Sequence, residues 1–225
     1  MSPRPKVEHL RKPQIVAAAA EVLYERGLFD TRIGDIAERA GTSAATILYW
    51  FESKDRLLEE AVAYADQAFY DRLWKGQGLI SRASDRLVHL IDETSRGPGG
   101  LNDYTLWMEI WVRARRDESV RSSYFELDRR QRELIAEIVR DGQRNGEFVA
   151  EADPDGVALS LSGLLDGLGV QVTLGQPDAP PQRMIDVCLA VASQALGCKL
   201  QPSKPVEPHV TVPMRRDTID NEEQR

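Results

Sequence analysis

The chain has 225 residues, a hydrophobic fraction of 42% and a formal net charge of −7, which suits one large globular domain or two small ones. The acidic balance excludes a protein that binds nucleic acid or membranes through overall positive charge, so any such binding needs a local basic patch. Two cysteines are too few for a secreted disulfide framework, and the polar N-terminus lacks the apolar core of a signal peptide. These features favour the cytoplasm.

Apolar residues recur with the helical period along almost the whole chain, and the sequence predicts an all-α protein. The predicted helices lie, in chain order, at 13–27, 33–40, 44–50, 54–74, 83–95, 103–117, 120–143, 157–174 and 183–196. Gly27 is a typical helix stop, and Ser43 and Ser53 are good N-caps. The apolar helix near residue 165 has membrane-span length, but Asp166 and several glycines interrupt it. It is therefore predicted to lie in a helical interface.

Composition divides the chain into four predicted parts: a flexible basic arm at 1–12, a helix-turn-helix unit at 13–58, a helical bundle at 59–198 and a mobile tail at 199–225. The arm is the one local basic excess in the chain. A flexible basic arm can lie along a phosphate backbone or in a minor groove. A short solvated end with no function is the alternative.

Two short helices separated by the sequence GTS have the layout of a helix-turn-helix. In the second helix, Ile47 and Phe51 are one turn apart and can face a small core, so its other positions point outward. Exposed tyrosine and tryptophan beside small residues are typical of a helix that enters a DNA groove. The residues predicted to face DNA here are Ser43, Ala44, Ala45, Thr46, Tyr49 and Trp50.

The second helix has no Arg or Lys, so bidentate reading of guanine is not expected from it. Its alanines and Thr46 can contact thymine methyl groups, and its aromatic side chains can donate to phosphates. Lys54, at the start of the next helix, is predicted to bind a phosphate. Arg32 and the backbone at Gly34 open the preceding helix and are predicted to hold another.

Residues 17–58 read AAAAEVLYERGLFDTRIGDIAERAGTSAATILYWFESKDRLL. In the order of its helices, its glycines and the final Ser-Lys-Asp, this segment resembles the TetR family of bacterial regulators. The resemblance implies a homodimer that binds a palindromic operator, usually as a repressor released by a small ligand. Leu48 stands where the family often has tyrosine, and Trp50 where histidine is frequent. Both departures affect the choice of operator.

The segment DYTLWMEIWVRARRD, residues 103–117, is the predicted wall of a ligand pocket because its two tryptophans are four residues apart on one helical face. A well-packed apolar core is the alternative. Glu109 or Asp166 would favour a cationic ligand held by a carboxylate and aromatic faces. The predicted ligand-binding residues are Tyr104, Trp107, Met108, Trp111 and Asp166. The stretches LWMEIWVRARRD and LLDGLG are similar to the family branch that includes choline and betaine regulators.

Two helices, 120–143 and 157–174, are predicted to form the dimer interface, since a two-fold operator needs a dimer of fixed spacing. The second carries small residues that permit close approach, namely Ser160, Gly163, Gly167 and Gly169. The family's dimers imply a four-helix bundle, and two internal core helices are the alternative. The long helix 54–74 joins both domains and is the predicted lever for a ligand-driven population shift.

An enzyme is not predicted. The three histidines lie in different segments, no metal-ligand spacing occurs, and no phosphate-binding glycine loop or nucleophile elbow is present. No metal or cofactor is therefore expected. The sequence predicts a ligand-responsive transcriptional regulator, a repressor, with double-stranded DNA, a small-molecule effector and a second copy of itself as partners, and no membrane. An activator of the same fold, or a helical adaptor protein without DNA binding, stays open as an alternative.

Overall fold

The computed structural model describes residues 8–77, 80–96 and 104–202. Within those ranges the chain forms nine helices and no strand. In chain order they are α1 (Glu8–Asp30), α2 (Ile33–Arg39), α3 (Ala44–Phe51), α4 (Lys54–Gln77), α5 (Ala83–Arg96), α6 (Thr105–Ala114), α7 (Glu118–Arg144), α8 (Pro154–Thr173) and α9 (Pro181–Leu196). The predicted all-α fold class is confirmed.

The first core lies where α1 packs against α2, α4 and α6, with α3 held between α2 and α4. Ile15, Leu23, Ile36 and Ile47 fill this core and are at most 2% exposed. Each such side chain contributes about 1.5–3 kcal/mol by its burial. The short helices α2 and α3 are therefore stabilised by packing rather than by their own length.

Two backbone turns set the directions of the helices around this core. Gly27 interrupts α1 with φ 75° and ψ 176°, which is a conformation that a side chain disfavours. Thr31 Oγ1 donates to the Gly27 carbonyl at 2.6 Å and closes the turn. After α3, Glu52 has a φ of 63° and turns the chain sharply into α4.

The two predicted serine caps are confirmed. Ser43 Oγ accepts a hydrogen bond from the backbone N–H of Thr46 at 3.1 Å, at the start of α3. Ser53 Oγ accepts one from the backbone N–H of Arg56 at 3.2 Å, at the start of α4. Each cap satisfies one of the free N–H groups in the first turn of its helix.

The predicted arm at 1–12 is shorter in the structure. Helix α1 begins at Glu8, and residues 1–7 lie outside the described ranges. Lys12, which was expected in the arm, is joined to α4 by an ion pair with Glu60 at 3.0 Å. This contact to the body of the protein accounts for a helix that starts before the predicted boundary.

The second core lies where α5, α7, α8 and α9 pack together. Its deeply buried side chains include Leu87, Leu90, Ile91, Ile135, Ile138, Leu165, Met184 and Cys188. Glu147, in the loop after α7, accepts hydrogen bonds from the backbone N–H groups of Ala83 and Ser84 at 2.8 and 3.1 Å. It therefore caps α5 from a distant part of the chain.

Helix α6 belongs to both cores. Its residues Leu106, Ile110 and Ala114 are buried in the first core, whereas Trp111 packs against the second. Trp107 packs against both. Helix α6 therefore contacts both cores, as do α4 through Leu58 and Phe69 and α7 through Val120 and Ile135.

By length and composition alone, α8 is the one helix of the described chain that is apolar enough to cross a membrane. In the fold it packs against α7 and α9. Gly169, predicted at the dimer interface, is buried against Tyr104 instead, and a Cβ at that position would lie 2.5 Å from the Tyr104 ring. Gly163 and Gly167 face open space, since a Cβ at either would meet no atom within 4 Å.

The outward sides of α7 and α9 differ in chemistry. On α7 the exposed residues include charged groups paired with one another, such as Arg129 with Glu126 and Glu133. On α9 they include the small apolar residues Ala190 and Val191. Burying the paired charges of α7 would cost their hydration, whereas the exposed apolar groups of α9 carry no such cost.

The predicted tail at 199–225 is described only as far as residue 202. Leu200 is buried, and its backbone N–H donates to Ser193 Oγ at 3.0 Å. The chain therefore remains packed on α9 beyond the predicted boundary, and residues 203–225 lie outside the described ranges.

Candidate functional site

The outward side of α3 carries most of the residues predicted to read DNA. Ala44 and Ala45 are exposed, and Tyr49 is 76% exposed, which is unusual for an aromatic side chain without a partner surface. Thr46 is half-buried, and its hydroxyl lies 2.9 Å from Ser43 Oγ. The capped end of α3 therefore presents small side chains followed by one large aromatic side chain.

Trp50 is less available than the sequence predicted. It is half-buried and packs partly against the first core. Its ring meets the Tyr49 ring edge-to-face, with centroids 5.6 Å apart and an interplanar angle of 81°. This contact holds Tyr49 away from the body of the protein, so Trp50 supports the exposed ring as well as adding to the surface.

Positive charges near α3 fall into two groups. In the described chain, Arg32 before α2 and Lys54 at the start of α4 form no ion pair, whereas Arg39 is bound to Glu21 and Glu25. Gly34, in the first turn of α2, is exposed, and a Cβ there would meet no atom within 4 Å. Free cations and open helix N-termini on both sides of α3 suit phosphate binding.

Lys12, predicted to belong to a DNA-binding arm, is not free. In addition to its ion pair with Glu60, its ammonium lies 5.1 Å from the centre of the Phe51 ring. This cation–π contact fixes Lys12 on the first core. The arm residues before α1 lie outside the described ranges.

A cavity lies between α4, α6, α7 and α8 and encloses about 860 Å³ of empty space, counting the part open to solvent. Of the predicted ligand-binding residues, Tyr104, Trp107, Trp111 and Asp166 line this cavity, and Met108 does not. Met108 follows Trp107 on α6, where a step of one residue turns the side chain by about 100°. The remaining lining residues are Tyr24, Val62, Ala65, Phe69, Thr94, Leu106, Ile110, Tyr124, Leu127, Asp128 and Gln131.

Asp166 gives the cavity its charge. Its carboxylate is half-buried and has no hydrogen bond or ion pair in the described chain. Burial, and then the nearby carboxylate of Asp128, raise the pKa of Asp166 to about 6. Asp128 itself is paired with Arg132 at 2.5 Å, so Asp166 is the carboxylate that lacks a cation.

Aromatic rings surround this carboxylate. Tyr104 is 3% exposed, and its hydroxyl donates to the Thr94 carbonyl at 2.9 Å. The Trp111 and Tyr124 rings meet edge-to-face with centroids 6.4 Å apart. Aromatic faces together with an unpaired carboxylate form a site that attracts an organic cation.

The α7 side of the cavity was not predicted. Tyr124, Leu127, Asp128 and Gln131 line it from α7, and their spacing places them on one face of a helix. This regular spacing is visible in the sequence. The same amphipathic pattern of α7 also fits the predicted dimer interface, so the pattern alone does not distinguish the two roles.

Glu109, a candidate for the cavity, points to the first core instead. Its Oε2 accepts a hydrogen bond from the backbone N–H of Leu28, just after the kink in α1. The fit is close, since a Cβ on Gly27 would lie 2.7 Å from the same oxygen. The helix that lines the cavity is thereby bonded to the end of α1.

Among the described residues, no group of three or more His, Cys, Asp or Glu side chains could hold a metal ion. The two features that stand out are therefore the exposed face of α3 and the cavity around Asp166. Together they define a helix-turn-helix DNA-binding protein with a separate cavity large enough for a small molecule.

Comparisons with known proteins agree with this class. The profile of the tetR family of bacterial regulatory proteins matches residues 15–61, and that of the C-terminal domain of BetI-type transcriptional repressors matches residues 83–197. The chain belongs to the TetR family of bacterial transcriptional regulators and has a BetI-type C-terminal domain.

The relatives extend over most of the chain. The HTH-type transcriptional regulator BetI of Escherichia coli (strain K12) is 25% identical over an alignment of 182 residues, and the match covers 78% of this chain and 89% of the relative. The crystal structure of a transcriptional regulator from Saccharomonospora viridis in complex with choline has a TM-score of 0.72 and 33% identity, and the match covers 80% of this chain and 94% of that one. A TetR regulator from Haloarcula marismortui, with a TM-score of 0.69, 23% identity and coverage of 86% and 100%, shares the fold.

Proposed function

We propose that this protein is a repressor that binds a palindromic operator as a homodimer and is released by a small organic cation. The observation that carries the proposal is the joint role of α6. This helix packs into the first core, which supports the helix-turn-helix unit at 13–58, called the reading unit below. It also lines the cavity around Asp166. A ligand in that cavity therefore touches the element that supports the reading unit.

In the proposed complex, α3 enters the major groove. Ala44, Ala45 and Thr46 contact base edges, including thymine methyl groups, and Tyr49 donates to a phosphate. Arg32 and Lys54 bind phosphates on either side, because neither is tied to a carboxylate in the described chain. Ser43 acts mainly as the cap that fixes the start of α3.

The proposed effector is a quaternary ammonium compound. Asp166 supplies the negative charge, and Tyr104, Trp107 and Trp111 supply aromatic faces. The relative from Saccharomonospora viridis, which is 33% identical, binds choline, and this supports choline as the first compound to test. Because a quaternary ammonium group has no N–H, attraction to charge and aromatic faces is the mode of binding available to it.

The proposed dimer interface combines the outward sides of α8 and α9. Gly163 and Gly167 on α8 leave room for a close helix, and Val191 on α9 is 40% exposed. A second copy on this surface would bury apolar groups that a monomer leaves in water. The charged outward side of α7 is left in solvent.

The proposed coupling passes through Glu109. Its bond to the Leu28 N–H connects α6 to α1, so a shift of α6 around a bound cation pulls on the reading unit. Release requires that the ligand binds more tightly to the conformation in which the two α3 helices are badly spaced for the operator. The regulator works in the cytoplasm, where operator DNA is found, and no catalytic step is proposed.

A selection of genomic DNA fragments by the purified protein, followed by footprinting, tests the proposal. We expect a protected inverted repeat and its release when choline is added. Enrichment of no fragment by a folded dimer, in the absence and in the presence of choline, would contradict the DNA-binding role. The position of the footprint relative to the promoter separates a repressor from an activator of the same fold.

A further inference from the structure

A second cavity lies next to the first, between the end of α1, the start of α4, α6 and α7. It encloses about 580 Å³ of empty space, counting the part open to solvent. Leu28, Leu58, Ala63 and Val120 belong to its lining. Its charged lining groups include Arg113, which is paired with Asp55 at 3.1 Å. The second cavity is therefore mainly an apolar space at the junction of the two cores.

The two cavities share a wall. Val62, Ile110, Tyr124 and Leu127 line both of them. A single layer of side chains thus separates the space around Asp166 from the apolar space beside α1. Side chains can change rotamer without moving a helix backbone, so a rotamer change in this shared wall would join the two spaces.

The two cavities also differ in chemistry. The first contains an unpaired carboxylate and aromatic faces. The second is lined mainly by apolar side chains, and its lining also includes Asp55, Glu59, Arg113 and Ser123. A polar occupant would lose hydration against the apolar part of the second cavity. An aliphatic chain would lose nothing of that kind and would bury its surface against these walls.

We propose that the two cavities bind one amphipathic cation, with its ammonium head beside Asp166 and its aliphatic chain in the second cavity. This inference rests on the proposed function and narrows the class of effector. The chain would contact Leu28 of α1 and Leu58 of α4 directly. Effectors with longer chains would therefore bind more tightly and would also contact the helices of the reading unit.

Titration calorimetry of the full chain with tetramethylammonium, butyltrimethylammonium and octyltrimethylammonium, each below its micelle-forming concentration, tests this inference. We expect the affinity to rise about two- to fourfold for each methylene group that enters the second cavity. The heat-capacity change of binding should become more negative with chain length, since apolar surface is buried.

Two neighbouring serines of α7 provide a matched pair of variants. Both are exposed, but Ser123 lines the second cavity and Ser122 lines neither cavity. We expect Ser123→Phe to abolish the gain with chain length and to leave tetramethylammonium binding unchanged. Ser122→Phe should behave as the unmodified protein. Ala63→Phe, on the opposite wall, replaces Ser123→Phe if the melting temperature shows that the latter does not fold.

Two results would overturn the inference while leaving the proposed function intact. One is equal binding of tetramethylammonium and octyltrimethylammonium by the unmodified protein. The other is a gain with chain length that persists in folded Ser123→Phe and Ala63→Phe. If no trimethylammonium compound binds at any length, the proposed cationic effector fails, and the amphipathic cation fails with it.

Discussion

The first core and the cavity around Asp166 differ in how completely they are filled. Ile15, Ile36 and Ile47 are at most 2% exposed in the first core, and short helices depend on that packing for their position. The cavity leaves about 860 Å³ of space beside a half-buried carboxylate without a partner. A surface that reads DNA needs fixed geometry, whereas a ligand site needs space and charge that the fold leaves unused.

The first core and the cavity meet in α6, so a change in the cavity can be transmitted to the first core. Leu106 and Ile110 of α6 are buried in the first core and also line the cavity. The helices around the first core can therefore move as a rigid body when a ligand occupies the cavity.

Removing exposed residues of α3 and α4 should weaken operator binding without unfolding the protein. In the double variant Tyr49→Ala with Lys54→Ala, a dimeric complex loses four contacts of about 1–1.5 kcal/mol each, so we expect operator binding to weaken by about 5 kcal/mol. Fluorescence anisotropy with operator DNA measures the loss. Tyr64→Ala with Lys199→Ala removes two exposed residues of the same types elsewhere and should bind normally. Intact binding by the first double variant would contradict the assignment of α3.

Dimerisation should weaken when a charged residue is introduced on the outward side of α8, and it should not change when one is introduced on the outward side of α7. Gly163→Arg has room in one protomer, because a Cβ there meets no atom within 4 Å, but it buries a charge in the proposed interface. We expect dimerisation to weaken by about 3 kcal/mol. Analytical ultracentrifugation measures the change, and Glu137→Arg on the exposed side of α7 should leave the dimer unchanged. The reverse result would restore the predicted role of α7 in the interface.

The carboxylates of the cavity should contribute unequally. Asp166→Asn removes the unpaired charge, and we expect it to weaken choline binding by about 2 kcal/mol. Asp128→Asn should have a smaller effect, because Asp128 is already paired with Arg132 at 2.5 Å. Calorimetric titration compares the two variants, and an equal loss in both would mean that Asp166 has no special role.

The link between the two regions should depend on Glu109. Glu109→Ala removes the acceptor for the Leu28 N–H, and we expect choline to bind normally while its effect on operator affinity falls by about 1.5 kcal/mol. Glu109→Gln keeps an acceptor oxygen and should restore much of the effect. Operator titrations with and without choline measure this difference. A full response in folded Glu109→Ala would exclude this route.

The affinity for choline should depend on pH. The pKa of Asp166 is raised from 3.8 to about 6 by burial and by Asp128, so ionising this group costs folding free energy as the pH rises through that window. The bound cation needs the ionised form, and its affinity therefore rises over the same window. We expect binding about tenfold weaker at about pH 5 than at about pH 7. Asp166→Asn should flatten the profile, and an equally steep profile in that variant would assign the titration to another group.

Much of this arrangement could be predicted from the sequence, because helical period and capping are local signals. Ser43 and Ser53 cap their helices as predicted. Gly27, the predicted helix stop, lies at a kink inside α1, which continues to Asp30. The convergence of Trp107 and Asp166 on one cavity agrees with the prediction, and their role in binding stays a prediction. What the sequence did not provide was the partner of each helical face.

Three features depend on such partners. The burial of one side of α6 in the first core, the bond of Glu109 to Leu28 and the contribution of Asp128 to the cavity all join residues far apart in the chain. Met108 is absent from the cavity lining for the same reason. Trp107 lines the cavity, and the next side chain on α6 points in a different direction. Local periodicity indicates that a face is apolar and does not indicate what covers it.

Coupling between the cavity and the helix-turn-helix unit can be measured through the reciprocity of binding. The affinity of choline would be measured by calorimetry for the free protein and for the protein saturated with operator DNA. If the two regions are coupled through α6, operator DNA weakens choline binding by the same factor by which choline weakens operator binding. Equal choline affinity in both states would contradict the account, because it would mean that the cavity and the reading unit act independently.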